Sequence, residues 1–224
     1  MSKRTLWVSI ESITVQVNGD VPGQNAPTGD DKRNAVVATL TYPRSGAPTV
    51  SSGQQYNLPN TNAFQPDQTD FFTSGLFKEV VQDETILQIK ITDTDRTSKA
   101  EKIFLAILGA LVNAALGTAA KGLTGFFGAV AGAGVDQIKT GMGQLGNDQV
   151  FVIGQTDKIR LNVDNLPTDR NNPLRMALGL TVPDDIDKPF IVLGPTGQPE
   201  TKHLILAKGT ANGQINLRLA AVAD

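Results

Sequence analysis

The chain has 224 residues with a formal net charge of -2, which suits one large domain or one domain with an insertion. This charge balance provides no general basic field for nucleic acid, and the aromatic content of 5% argues against a stacking platform for single strands. Cysteine is absent, which excludes disulfides, thiol catalysis and thiolate metal sites.

The N-terminal part of the chain predicts strands separated by turns. Residues 5–17 alternate apolar and polar side chains, and the phase changes near Glu11, which indicates a strand with a bulge or bend. Because this region alternates and forms no apolar block, it does not predict a secretory signal. Residues 18–33 are rich in Gly, Pro, Asn and Asp and are predicted as a loop. Further strands are predicted at 34–42 and 85–92, and short ones near Thr49 and Tyr56.

Short strands continue after the middle of the chain. They are predicted at 149–153, 158–163, 190–193, 203–207 and 213–222. Residues 71–81 are compatible with a helix or a strand, and a helical turn is predicted through 174–178. Trp7 is predicted in the core, and the single histidine, His203, has no evident partner and is predicted to be structural or exposed. Short strands punctuated by turns are typical of an antiparallel β-sandwich.

One stretch departs from this strand pattern. Residues 103–135, IFLAILGALVNAALGTAAKGLTGFFGAVAGAGV, carry Lys121 as their only charge. Ala and Leu dominate the first half and Gly and Ala the second, which predicts an apolar helical hairpin broken near Gly122. Small residues at helical spacing are predicted to pack the two helices together: Ala106, Ala110, Ala114, Gly125, Gly128, Ala129, Gly132 and Ala133. The predicted contacts to lipid or to another subunit are Phe104, Leu105, Leu108, Leu111, Val112, Leu116, Lys121, Leu123, Phe126, Phe127 and Val130.

The predicted hairpin has two interpretations. It is buried in protein, as a core or a seam between subunits, or it enters a membrane. Each arm has about 15–18 uncharged residues, or roughly 25 Å of helix, which is marginal for a full span. Both interpretations remain open at the level of sequence.

Several segments resemble the C2 domain family. ILQIKITDTDRTSKAEKI (86–103) is similar to that family's sixth strand and third top loop, where an apolar strand precedes D-x-D, a basic residue and a further acidic residue. LWVSIESITV (6–15), VVATLTYP (36–43) and GQINLRLAAV (213–222) look like its opening and closing strands. The resemblance implies an antiparallel C2-like β-sandwich that docks on anionic phospholipid with Ca²⁺ as a cofactor. The chain differs from the family in its long segment after D-x-D.

The resemblance also implies a set of metal ligands. The candidates are Asp93, Asp95 and Glu101, together with Asp20, Asp30 and Asp31 from the facing loop. Glu101 stands where the family usually has aspartate, and no Asp-Pro follows the first loop. An alternative role for Asp95 or Ser98 is to cap the first helix of the hairpin, with Glu101 completing a capping box from Ser98.

Taken together, the sequence predicts a mainly β protein with one discontinuous sandwich domain, residues 1–100 and 147–224, and an inserted helical hairpin, residues 101–146. No motif for a nucleophile, a zinc protease or a phosphate loop is present, which predicts that the protein is not an enzyme. The expected function is a membrane-interaction module, soluble or peripheral, whose partner is phospholipid. The alternative is a structural protein that forms homo-oligomers through the hairpin.

Overall fold

The computed structural model describes residues 3–19, 34–42, 50–94 and 150–223. The described part is mainly β, and its helical elements are one short α-helix and one 3₁₀ turn. The elements are β1 (Arg4–Val15), β2 (Asn34–Thr41), β3 (Val50–Tyr56), β4 (Ala63–Phe64), α1 (Phe71–Ser74), β5 (Gly75–Val81), β6 (Glu84–Thr94), β7 (Val150–Gln155), β8 (Ile159–Asn162), the 3₁₀ turn Val163–Asn165, β9 (Leu174–Thr181), β10 (Ile186–Leu193), β11 (Pro199–Leu206) and β12 (Ala211–Ala223).

The described strands form a ten-stranded antiparallel sheet and a separate hairpin. The main path runs β3-β2-β6-β7-β9-β12-β1-β4, with β5 also paired to β1 and β8 also paired to β6. β7 and β9 are joined by one residue pair, Gln155 with Thr181. The path therefore divides at this junction into a β3-β2-β6-β7 half and a β9-β12-β1-β4 half. β10 and β11 pair only with each other among the described strands.

The two halves of the sheet share one hydrophobic core. Leu87, Ile89 and Ile91 of β6 belong to the same buried cluster as Leu217 and Leu219 of β12. Because successive strand residues point to opposite faces, each half contributes one apolar face to this cluster. The result is a sandwich-like arrangement, as the turn-punctuated strands predicted.

The phase change predicted in the first strand is confirmed. Leu6, Val8 and Ile10 are fully buried, and the buried positions then move to the other parity at Ile13 and Val15. The register of β1 against β12 shifts between Ile10 and Ser12. A bulge of this kind adds one residue to a strand, so the same face stays in the core on both sides of it.

Residues 71–81, which are compatible with a helix or a strand by sequence, contain one of each. Asp70 caps α1 because its carboxylate accepts from the Phe72 amide at 2.8 Å, and β5 follows. Two sequence predictions need correction. The helical turn predicted at 174–178 is wrong, since these residues begin β9. Trp7 is only half-buried, on the outward parity of β1, and is not a core residue.

The predicted hairpin, residues 101–146, lies outside the described residues. The structure therefore describes strands on both sides of that segment, and the division into a sandwich and an insertion stays a prediction.

Candidate functional site at one end of the sheet

A buried ion pair lies where the chain leaves the sheet toward its two long undescribed segments. Asp93 stands near the end of β6, opposite Asn34 of β2 and Phe151 of β7. Its Oδ2 is 3.0 Å from Lys188 Nζ, and Asp93 and Lys188 are 1% and 5% exposed. An ion pair this far from water survives because each charge neutralises the other, and removing either leaves an uncompensated charge.

Lys188 also hydrogen-bonds to the chain just before residues 20–33. Its Nζ donates to the Gly19 carbonyl at 2.8 Å, and Gly19 is the last described residue before the segment 20–33. The ammonium lies 6.0 Å from the Phe151 ring centroid, at the beginning of β7. One side chain from β10 therefore contacts the chain at the start of both long segments.

Gly19 is required at its position for two reasons. Its φ is +93°, a conformation that side chains other than glycine rarely adopt. A Cβ built on Gly19 would also overlap the carboxyl group of Asp93. The missing side chain thus allows the loop backbone to close over the ion pair.

Buried asparagines hold the neighbouring chain segments in place. Asn212 accepts from the Val17 amide at 2.9 Å, and its side-chain amide donates to the Val17 and Ile153 carbonyls, both at 2.8 Å. Asn34 donates to the Asn18 carbonyl at 2.8 Å. A short side chain with both a donor and an acceptor satisfies backbone groups that no sheet neighbour reaches. Side-chain hydrogen bonds therefore hold this end of the sheet close to the residues where the long segments begin.

The apolar segment leaves and re-enters the sheet at one point. Thr94, the last residue of β6, is the register partner of Val150, the first residue of β7. Antiparallel partners have Cα atoms about 4.5–5.5 Å apart. The two described residues that flank the span 95–149, which includes the whole uncharged stretch, therefore lie next to each other beside Asp93.

The β10–β11 hairpin presents an apolar outer face. Ile191, Leu193 and Ile205 are 71%, 76% and 69% exposed. Ile191 and Leu193 are odd-numbered residues of β10, and Ile205 pairs with Asp187, another odd-numbered residue, so all three lie on one face of the hairpin. On the opposite parity, Ile186 and Lys188 are buried. The same hairpin thus fixes the ion pair with one face and exposes isoleucine and leucine to solvent with the other.

His203 lies on this outer face. Its Nδ1 is hydrogen-bonded to Asp187 Oδ1, and both side chains are exposed. The prediction that His203 has no partner is wrong. Its exposed position agrees with the structural or exposed role predicted for it.

Of the predicted metal ligands, the structure describes Asp93. Asp20, Asp30, Asp31, Asp95 and Glu101 lie outside the described residues. Within the described ranges, no group of three or more histidine, aspartate or glutamate side chains is placed to hold a metal ion. The predicted ligand set therefore stays a prediction, and Asp93 is seen as the partner of a lysine.

The residues predicted to contact lipid or a subunit, and those predicted to pack the helices together, also lie outside the described ranges. The described part of the chain contains no helix with the length and apolar character needed for a membrane span.

Sequence reasoning missed Lys188, Gly19 and the asparagines. One signal was available for Lys188, because in IDKPFIVL it shares the parity of Ile186 and Val192, and a lysine among inward apolar positions predicts a buried partner. The asparagines stand in or beside turn-rich sequence, where this residue is ordinary. Neither the protein-family models nor the curated proteins compared with this chain include a match.

Proposed function

We propose that this protein is a non-enzymatic membrane-interaction module, a C2-like β-sandwich that docks or inserts the apolar segment 103–135 into lipid. The observation that carries the proposal is the register pair Thr94 and Val150. The residues that flank the segment are thus neighbours at one point of the sheet, so a segment that enters and leaves from a single end of the domain fits this register. Insertion from one side of a bilayer then requires no rearrangement of the sheet.

The β10–β11 hairpin supports the same orientation. Its inner face contacts Asp93 through Lys188, and its outer face exposes Ile191, Leu193 and Ile205. Exposed apolar residues grouped on one face are typical of a surface that meets a partner or a membrane. The hairpin would thus contribute a second apolar contact beside the segment.

Calcium enters the proposal through Asp93. Its carboxylate already neutralises Lys188, so an ion bound there would compete with the buried ammonium. Calcium dependence would therefore be accompanied by loosening of the β10–β11 hairpin. Hydrogen exchange of residues 186–206, measured with and without calcium, tests this link.

Co-sedimentation with anionic vesicles tests the proposal. The full chain, with and without calcium, is compared with a variant lacking residues 102–140, whose fold is checked by circular dichroism. We expect the full chain to sediment with the vesicles and the deletion variant to stay in the supernatant. Equal sedimentation of the two proteins would remove the segment from the mechanism.

Two matched substitutions test the hairpin separately. Ile191→Ser combined with Leu193→Ser is expected to weaken vesicle binding, whereas Phe72→Ser is expected to leave it unchanged. Phe72 is 79% exposed but belongs to α1, which packs beside Trp7 and not at the ion pair. Equal weakening by both would indicate that exposed apolar area in general, and no particular surface, drives sedimentation.

The alternative proposal is a structural protein that assembles through the same apolar surfaces. The exposed face of β10–β11 favours it as well, since an isologous contact between two such faces would bury the same isoleucines. Size-exclusion chromatography with light scattering distinguishes the two. A defined oligomer that becomes monomeric on deletion of residues 102–140, together with no sedimentation on vesicles, would establish assembly in place of lipid binding.

A further inference from the structure

A groove lies far from the ion pair, on the outward face of β1 and β12. It encloses about 520 Å³ and is lined by Trp7, Ser9 and Arg218. Residues of the 168–173 loop and residues around α1 also line it. From Trp7 to the end of β1 at Val15 the strand runs roughly 26 Å, so the groove and the proposed membrane surface are separate sites.

Two arginines, Arg170 and Arg218, line the groove. The Arg170 guanidinium lies 3.5 Å from the Trp7 ring centroid, and Lys78 Nζ, which is outside the lining, lies 4.7 Å from it. Asp169 is the acidic residue in the lining, and its Oδ1 already accepts from the Asn171 amide at 2.8 Å. In the described part of the chain, no ion pair joins Arg170 or Arg218 to a carboxylate. The lining therefore carries two arginines and one aspartate, a net positive charge.

Arg218 is held in place with unused donors. Its Nη1 donates to Gln68 Oε1 at 3.2 Å, and the Gln68 amide is itself fixed on the Ile10 and Pro66 carbonyls at 2.8 and 3.0 Å. The Nε of Arg218 is buried and has no hydrogen-bond partner among the described residues. Because this Nε has almost no exposed surface, an oxyanion in the groove would bind the guanidinium through its remaining Nη donors and would compensate its charge.

Arg175, the cross-strand neighbour of Arg218, has a carboxylate partner. Arg175 of β9 is the register partner of Arg218, and its Nε lies 3.3 Å from Glu11 Oε1. One arginine of the pair is thus neutralised by the protein, and the other, which lines the groove, is not. Arg175 is outside the groove lining and serves as a matched control.

We propose that this groove binds a small anionic sugar, such as a sugar phosphate or a sugar acid. Arginine forks at Arg218 and Arg170 suit a phosphate or carboxylate, and Ser9, Thr69 and Asn171 supply polar groups for hydroxyls. The volume is in the range of sites for whole small molecules, about 300–1,000 Å³, and exceeds what an isolated phosphate fills. This assignment does not depend on the membrane proposal, because it uses other residues.

Trp7 is the only tryptophan, so its fluorescence reports directly on the groove. The full chain is titrated with glucose 6-phosphate, glucose and inorganic phosphate, and calorimetry provides a second readout. We expect saturable binding of glucose 6-phosphate, weaker binding of inorganic phosphate and no binding of glucose. Arg218→Gln should weaken glucose 6-phosphate binding about tenfold, because it removes a charge-assisted hydrogen-bond donor pair. Arg218→Lys should keep part of the affinity, and Arg175→Gln should leave it within about twofold of the unsubstituted chain.

Vesicles of phosphatidylglycerol distinguish a lipid headgroup from a soluble ligand. A Trp7 fluorescence change on these vesicles that Arg218→Gln abolishes would support the oxyanion site and move its ligand to the headgroup. No saturable signal with any of these probes would overturn the proposal. Equal loss of affinity in Arg175→Gln and Arg218→Gln would also overturn it, because surface charge in general would then explain the binding. Thermal unfolding of each variant confirms that it is folded before it is titrated.

Discussion

Replacement of Lys188 by methionine tests how the end of the sheet is held together. The substitution keeps most of the side-chain volume and removes the ammonium, which leaves Asp93 at 1% exposure without this cation and frees the Gly19 carbonyl. We expect a loss of about 3–5 kcal/mol in the free energy of unfolding, the range for one partner removed from a buried ion pair. The substitution Asp93→Asn should lower stability for the same reason.

The double variant measures the coupling directly. Lys188→Met combined with Asp93→Asn removes both charges of this pair, so the double variant should lose less stability than the sum of the two single losses, by at least about 2 kcal/mol. Urea unfolding followed by far-UV circular dichroism gives the free energies, once a single transition has been established. Hydrogen exchange of β10 and β11 should lose protection first, because the hairpin pairs with no other described strand.

An exposed ion pair of the same sheet is the control. Arg160 Nη1 lies 3.4 Å from Glu84 Oε1, with 74% of the Arg160 side chain exposed. Arg160→Met should change the free energy of unfolding by less than about 1 kcal/mol, because solvent screens this pair. A loss from Lys188→Met no larger than that from Arg160→Met, or strict additivity in the double variant, would refute the reasoning.

Two further predictions concern Gly19 and Lys90. Gly19→Ala should destabilise the protein by about 1–3 kcal/mol more than Gly197→Ala in urea unfolding. Both glycines have positive φ, but only a Cβ at Gly19 would meet the Asp93 carboxyl. Equal losses of stability would contradict this. Burial and the charge of Lys158 lower the pKa of Lys90 below its ordinary 10.5. The unfolded chain therefore binds this proton more tightly, and stability should rise with pH through the window that ends near 10.5. Lys90→Met should accordingly stabilise the protein at neutral pH and by less as that window is passed; a gain independent of pH would contradict the assignment.

The β architecture was readable from local pattern. Side chains alternate along β1, β6 and β12, and the phase change in β1 marked the bulge between Ile10 and Ser12 before any partner strand was known. Such patterns succeed because the two-residue period of a strand is a property of neighbouring residues. Where no period dominates, as at 71–81 and 174–178, sequence reasoning left two options or chose the wrong one.

The candidate site was only partly predictable. Asp93 was singled out as a carboxylate at a strand end, but its observed partner, Lys188, is 95 residues away along the chain. Gly19 is 169 residues from Lys188, and it looked like an ordinary turn glycine. The groove at Trp7 was missed because tryptophan in an alternating strand suggests the core, and the parity that faces solvent is decided by the packing of the other half of the sheet.

The amino-acid sequence by itself determined that this chain forms short antiparallel strands and that one long uncharged stretch interrupts them. Hydrophobic periodicity and turn residues act over a few positions, so they can be read without knowledge of the fold. Only the tertiary structure decided that Lys188 neutralises Asp93, that Gly19 closes over the pair, and that Arg218 faces a groove without a carboxylate. Those contacts join residues far apart in the chain, and their energies depend on exclusion from water, which arises only when the two halves of the sheet come together.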